Sequence, residues 1–288
     1  MSEMTIKTPA KINLCLNVLG KRPDGYHEVE MLMQAVGLYD EVTVGLTGNG
    51  ITVTCDSTAV PGGEGNIAWR AAREMVARSG SKTGVAVHIK KTIPVAAGLG
   101  GGSSDAAAVL VAANRLLGTQ LGREQLAAIG AGLGMDVPFF LYGPTALAKG
   151  RGEVLTALPA PPMFWVLLVN PGFETSTAWV YKNLSFGLTK KGDCTNIAGL
   201  TVGQIARSLH NDLETVTASA HGQIGEMQRA LLAAGALGAR MSGSGPTVFG
   251  MFETAAACRE AARELQTKGW RLYPAEVLTE PLYGEQLA

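Results

Sequence analysis

The segment PVAAGLGGGSSDAAAVL, residues 94–110, constrains the fold more than any other stretch of the chain. Gly98, Gly100, Gly101 and Gly102 fall within five positions, Ser103 and Ser104 follow, and an Ala/Val/Leu run begins. Glycine inside a regular element costs about 0.5–1 kcal/mol relative to alanine. A tight strand-to-helix turn capped by Ser104 or Asp105 would need only one or two of them. A glycine loop entering a helix N-terminus offers unpaired N–H groups, partial positive charge and no Cβ to hold an anion away. The stretch therefore reads as a phosphate cradle formed by Gly98, Leu99, Gly100, Gly101, Gly102, Ser103 and Ser104. Asp105 reads as a helix-start residue first and a metal-site candidate second, because a carboxylate beside phosphate is repulsive without a cation.

Neither familiar phosphate loop fits. A G-x-x-x-x-G-K-[ST] loop counted from Gly98 meets Ser103 at its sixth position, and no lysine follows. A G-x-G-x-x-G fingerprint loses its last glycine at the same serine.

Charge makes a local anion site necessary. Lys+Arg and Asp+Glu both number 24, so no long-range field gathers nucleic acid or an anionic membrane. A length of 288 residues allows two domains, and 47% hydrophobic with 17% charged residues reads as globular. Cys15, Cys55, Cys194 and Cys258 form no C-x-x-C pair, so four reduced thiols are expected. The opening MSEMTIKTPAKINL does not read as a signal peptide, and no apolar run suits a membrane span. A soluble cytoplasmic protein, monomeric or weakly dimeric, is expected.

Periodicity gives an α+β chain. Strands are expected at 5–10, 12–19, 28–36, 40–46, 51–55 and 85–89, with a turn at 21–25. Helices are expected at 66–79, 103–117 and 123–133. The Pro-rich stretch 158–162 reads as a linker. Beyond it, strands are expected at 164–169, 239–241, 247–252 and 270–277, and helices at 205–209, 224–234 and 255–268. Domains at 1–158 and 159–288 follow.

Three segments, in order, resemble the motifs of the GHMP kinases (galactose, homoserine, mevalonate and phosphomevalonate kinases). They are PAKINLCLNVLG (9–20), the glycine stretch itself, and RMSGSGPTVFGMF (240–252). The resemblance implies a two-domain fold, with a ribosomal S5 domain 2-like N-terminal domain for ATP and catalysis. A ferredoxin-like C-terminal domain would help build the substrate cleft. RPDGYHEVEMLMQAV (22–36), GMDVPFFLYG (134–143) and HNDLE (210–214) are similar to one branch of the family. That branch implies ATP-dependent phosphorylation of the 2-hydroxyl of a cytidine-diphosphate-linked methylerythritol, a step toward isoprenoid precursors. ATP and Mg²⁺ are the implied cofactors. A sister kinase of the homoserine or mevalonate type, or a silent nucleotide-binding module, are the competing readings.

Asp136, before Val137-Pro138, has the local chemistry of a helix N-cap. The resemblance makes it the catalytic base, and a cap would hold the carboxylate in place. Lys11 reads locally as a solvated strand lysine; the resemblance pairs it with Asp136. Asn13, two residues on, points to the same face and could hydrogen-bond substrate. Tyr26 and His27 are implied at the cytosine, with Tyr181 on the opposite side of the base and Thr177 as a polar neighbour. Asn66 reads as an N-cap by its chemistry and, by the resemblance, matches a family position near the nucleotide. Lys90 and Lys91 read equally as phosphate-reaching or solvated. The glycine cluster at 242–245 is expected to close over the site. No metal-ligand set follows.

Overall fold

The computed structural model describes residues 2–185, 192–194 and 197–284. Its first sheet is built on one very long hairpin, β1 (Glu3–Lys21) and β2 (His27–Thr47), paired antiparallel. The expected pairs of shorter strands, 5–10 with 12–19 and 28–36 with 40–46, are each one continuous strand. No residue between them turns the chain. The breaks are absorbed by register shifts, one of them at Pro9/Ala10. The turn joining the strands is the expected one, with Gly25 at φ +85°.

β3 (Ile51–Cys55), α1 (Ile67–Ser79) and β4 (Gly84–Lys90) follow, and then α2 (Gly101–Leu116), α3 (Arg123–Leu133) and α4 (Val137–Tyr142). The hairpin of β5 (Thr145–Lys149) and β6 (Val154–Ala157) was not evident in the sequence; it completes the unit. β2 changes partner along its length, with β4 beside residues 41–47 and β5 beside residues 31–34.

The second sheet begins with β7 (Trp165–Asn170). The chain continues through α5 (Thr177–Lys182), α6 (Val202–Ser208), β8 (His210–Asn211), α7 (Glu214–Ala220) and α8 (Gln223–Ala233). It closes with β9 (Gly238–Met241), β10 (Val248–Phe252), α9 (Ala255–Leu265) and β11 (Arg271–Glu276). The sheet order is β11-β7-β10-β9, all antiparallel. β8 leaves this half and pairs in parallel with β1, so the first sheet runs β3-β4-β2-β1-β8.

Two cores result. One holds Leu110, Phe139 and Phe140 with Leu16 and Met33, between the first sheet and its helices. The other joins Ile12, Leu14 and Leu32 to Phe164, Leu168 and Phe249, between the sheets. The period of two along β7 sorts its side chains: Val166 and Leu168 face the inter-sheet core, and Leu167 and Val169 face the opposite side of the second sheet, where α9 packs. β1 is covered on both faces, which explains its near-continuous apolar sequence.

Cys15 and Cys194 are joined in a disulfide with Cα atoms 5.2 Å apart, while Cys55 and Cys258 are free. The expectation of four reduced thiols is therefore corrected. A separation of 179 residues leaves no local pattern to read.

Candidate active site

A cleft of about 1190 Å³ opens between the glycine stretch, β1 from Lys11 onward, the hairpin turn and α5. Single-ligand pockets span roughly 300–1,000 Å³. This one has room for two substrates.

The glycine stretch forms one wall. α2 begins at Gly101, two residues earlier than the sequence suggested, so Gly101 and Gly102 form its first turn. Gly100 is its N-cap at φ +71°. The side chain that a non-glycine would need there meets Lys11 Cγ and Phe140 Cζ, both 3.0 Å from the Cβ position. Gly98, at φ +77°, leaves only 2.0 Å between its Cβ position and the Ser242 carbonyl oxygen. These two glycines are therefore required by close approach as well as by backbone conformation.

Gly98, Gly100, Gly101, Gly102 and Ser103 line the cleft, as does Asn66. Leu99 and Ser104 do not. Leu99 is buried in the inter-sheet core, and its carbonyl accepts the Lys11 backbone N–H at 2.9 Å. The Ser104 hydroxyl donates to the Pro9 carbonyl at 2.6 Å and meets the Thr8 hydroxyl, tying α2 to β1. Helical rotation turns adjacent serines about 100° apart, so one of the pair faces the cleft and the other faces the sheet. Asn66 caps α1, accepting from Ala68 N at 2.9 Å and donating to the Pro61 carbonyl at 2.9 Å.

Lys11 is 4% exposed. Its ammonium donates to Asn13 Oδ1 at 2.6 Å and lies 3.6 Å from Asp136 Oδ2. Asp136 precedes α4 with Pro138 in the first turn, but its carboxylate makes no capping hydrogen bond. The expectation that a cap fixes this carboxylate is corrected: Lys11 is what holds it. With the side chain 30% exposed, it faces the cleft.

Lys91 borders the cleft and does not lie in solvent. It is buried between Asp40 and Asp105 and bonds to both, at 2.9 Å for Asp105. Asp40 also accepts the N–H groups of Thr92 and Ile93 at 2.6 and 2.9 Å, anchoring the chain where it enters the glycine stretch. Burial lowers the Lys91 ammonium, but the two carboxylates outweigh it and raise the group above its ordinary value. Burial, reinforced by Asp40, pushes the Asp105 carboxyl up to about 7. The metal-site reading of Asp105 is thus replaced: an ammonium stands where a cation would. Lys90 is exposed, 3.8 Å from Glu41.

The far end of the cleft is aromatic. Tyr26, His27 and Tyr181 all line it, with Thr177 beside them. The ring facing Tyr181 is His27, at 4.9 Å between centroids and 26° between planes. Tyr26 instead carries the Arg151 guanidinium, 4.9 Å above its ring. Burial and the charge of Lys21 hold the His27 imidazole below its ordinary value, so it is neutral near pH 7. Burial and the Asp136 charge raise the Tyr181 phenol, which stays protonated. Thr177 and Ser244 share a hydrogen bond of 2.8 Å, closing α5 onto the second glycine cluster. Asn13 is wholly buried and lines the cleft beside Lys11.

Arg151 was not singled out from the sequence. The signal was Gly150-Arg151-Gly152, both glycines at positive φ, which marks a tight hairpin tip.

Comparison with known proteins decides the family. Residues 66–144 match the GHMP kinases N terminal domain, and residues 197–270 match the GHMP kinases C terminal domain. A 4-diphosphocytidyl-2-C-methyl-D-erythritol kinase of Geobacter sulfurreducens is 51% identical over 94% of this chain and 97% of its own. The chain belongs to the GHMP kinase family. Another relative of the same name, from Pelobacter propionicus, is 50% identical over 96% of this chain and all of its own. The GHMP fold is equally clear among solved structures. A 4-(cytidine 5'-diphospho)-2C-methyl-D-erythritol kinase superposes with a TM-score of 0.82 at 34% identity, over 95% of this chain and 99% of that one. A homoserine kinase from Cytophaga hutchinsonii, at 21% identity and a TM-score of 0.77, shares the fold over 98% of this chain and 96% of its own. The two-domain α+β architecture expected of a GHMP kinase is the one observed, and the four strands of the second sheet follow a ferredoxin-like β-α-β-β-α-β order.

Proposed function

We propose that this GHMP kinase transfers the γ-phosphoryl group of ATP to the 2-hydroxyl of 4-diphosphocytidyl-2-C-methyl-D-erythritol. The observation that carries the reading is the Lys11–Asp136 pair, 3.6 Å apart, packed against Gly100 of the phosphate cradle. Phosphoryl transfer asks little covalent chemistry of a protein; it asks for alignment and electrostatics. Gly98, Gly100, Gly101, Gly102 and Ser103 offer backbone and hydroxyl donors to the polyphosphate at the N-terminus of α2. The Asp136 carboxylate accepts the proton of the acceptor hydroxyl as its oxygen bonds to the γ-phosphorus and the bond to the β-phosphate oxygen breaks. Lys11 orients that carboxylate and offsets charge on the acceptor oxygen. Asn13 fixes the Lys11 ammonium and faces the same substrate. Tyr26, His27 and Tyr181 supply π-faces and a neutral imidazole for the cytosine, and Thr177 a hydroxyl.

Mg²⁺ enters this reading with the nucleotide. Among the described residues no cluster of three or more His, Cys, Asp or Glu side chains can hold a metal ion, and Asp105 is taken by Lys91. The chain's donors therefore do not build a cage for the ion, and no step is assigned to it. We divide the chain at 158/159, between the end of β6 and the start of β7. No helix of the described residues is long and apolar enough to cross a membrane. A cytoplasmic setting rests on ATP as substrate, since the thiol argument for it falls with the Cys15–Cys194 bond.

The test is a panel of acceptors with ATP and Mg²⁺, following ADP release. The cytidine-linked erythritol is expected to turn over, and homoserine and mevalonate are not. Turnover of either of those in its place refutes the reading.

A further inference from the structure

The HNDLE segment has no part in the chemistry above, although it lies beside it. We propose that Asn211 is a positioning residue for phosphoryl transfer: it fixes the closing loop at 242–245 against the phosphate cradle. The proposal rests on the kinase reading and adds to it a residue outside the cleft.

Asn211 is 4% exposed and is not among the residues lining the cleft. Its amide nitrogen donates to the carbonyls of Met241 and Gly243, both at 2.8 Å. Its amide oxygen accepts from Leu213 N at 3.0 Å. Those three bonds use a neutral side chain with two donors and one acceptor on the same planar group. Aspartate there faces two buried carbonyls with no proton to give, and an aliphatic side chain leaves both carbonyls unpaired.

Asn211 is itself anchored to the catalytic strand. It pairs with Leu16 of β1. The next residue, Asp212, donates its N–H to the Leu16 carbonyl at 3.0 Å and accepts from Val18 N at 2.8 Å. The loop it holds is in turn tied to the site. Ser242 Oγ donates to the Gly98 carbonyl at 2.9 Å and accepts from Asn13 N at 3.3 Å. The 2.0 Å between the Gly98 Cβ position and the Ser242 oxygen shows how closely the two loops meet. Gly243 and Ser244 line the cleft. A shift of the loop therefore passes directly to Gly98, where the polyphosphate docks, and to Asn13, which holds Lys11.

The experiment compares Asn211→Asp and Asn211→Ala with the wild type and with Glu214→Gln. Glu214 bonds Arg240 and Met241 N on the strand side, away from Gly243, and serves as a stability control. Two readouts are taken: the affinity for a non-hydrolysable ATP analogue, and kcat with both KM values. The Asn211 variants are expected to bind the analogue at least tenfold more weakly and to lose at least tenfold in kcat/KM for ATP. Glu214→Gln is expected to melt lower with both quantities within about twofold of wild type. Ser242→Ala breaks the same chain of bonds at Gly98 without disturbing the carbonyls under Asn211, and is expected to reproduce the ATP defect even if the Asn211 variants do not fold. Wild-type ATP affinity in Ser242→Ala, or in folded Asn211 variants, overturns the proposal. So does an equal ATP defect in Glu214→Gln, which would mark a general loss of stability. Analogue binding needs no acceptor, so failure of the cytidine-linked substrate in the wild type overturns the acceptor assignment alone.

Discussion

Replacing Asp105 with asparagine should stabilise this protein at neutral and alkaline pH. The Asp105 carboxyl lies beside Lys91 and Asp40 in the buried start of α2, and its Oδ1 has no hydrogen-bond partner. Burial first, and Asp40 after it, raise it from 3.8 to about 7. Tyr283 and Cys55 are the other titratable groups that feel its charge. From about pH 4 to pH 7 the folded chain keeps a proton that the unfolded chain has released. The unfolding free energy then falls as pH rises, because the unfolded state binds fewer protons. The contribution is greatest below pH 4 and is lost by about pH 7. The shift from 3.8 to about 7 corresponds to a ceiling of ~4 kcal/mol. The amide is isosteric with the protonated acid, still accepts from Lys91 and donates toward Asp40. Chemical denaturation at pH 5 and pH 8 measures the effect. The wild type should lose stability between the two, and Asp105→Asn should lose less and exceed the wild type at pH 8 by at least ~1 kcal/mol. A variant less stable than wild type at pH 8, or one with the same slope, refutes the assignment of a proton to this carboxyl.

Three further outcomes are expected. Asp136→Asn should lower kcat by roughly 10²–10⁴-fold with both KM values little changed, read in steady-state kinetics. Tyr181→Leu should raise KM for the cytidine-linked acceptor about tenfold or more, in line with ~1–3 kcal/mol per stacked base, and leave KM for ATP alone. Gly98→Ala should cost about 1–3 kcal/mol in thermal unfolding and weaken ATP binding, because φ +77° and a 2.0 Å approach to the Ser242 oxygen leave no room for a methyl group.

The phosphate cradle was legible because it depends on glycine, whose chemistry is local. Its boundaries were less so: the direction of Ser104 depends on where α2 begins, and the sequence put that two residues late. The long hairpin was read as four strands, with gaps at residue 11 and residues 37–39, whereas the sheet takes up the irregularity in a register shift that pairs Pro9 with Tyr39 and Ala10 with Val36. Lys91 could not be placed, since both its partners are distant in sequence, Asp40 by 51 residues and Asp105 by 14. Asp136 lies in the cleft beside Lys11 but was given the wrong restraint. The capping pattern was present, but the carboxylate turned toward Lys11. Arg151 and the Cys15–Cys194 bond depend on tertiary proximity and had only weak traces in the sequence.

β1 works as a ruler. The phosphate cradle docks on it at Lys11, through the bond from Lys11 N to the Leu99 carbonyl, and the closing loop docks at Asn13 through Ser242. Two residues of extended strand span about 6.5 Å, and a strand buried on both faces does not stretch. The separation between the two docking points is therefore a property of backbone geometry, indifferent to which acceptor occupies the cleft. The parts that line its aromatic end, Tyr26, His27 and Arg151, sit at hairpin tips. Those tips can be rewritten for another acceptor while the gauge of the chemical step stays the same.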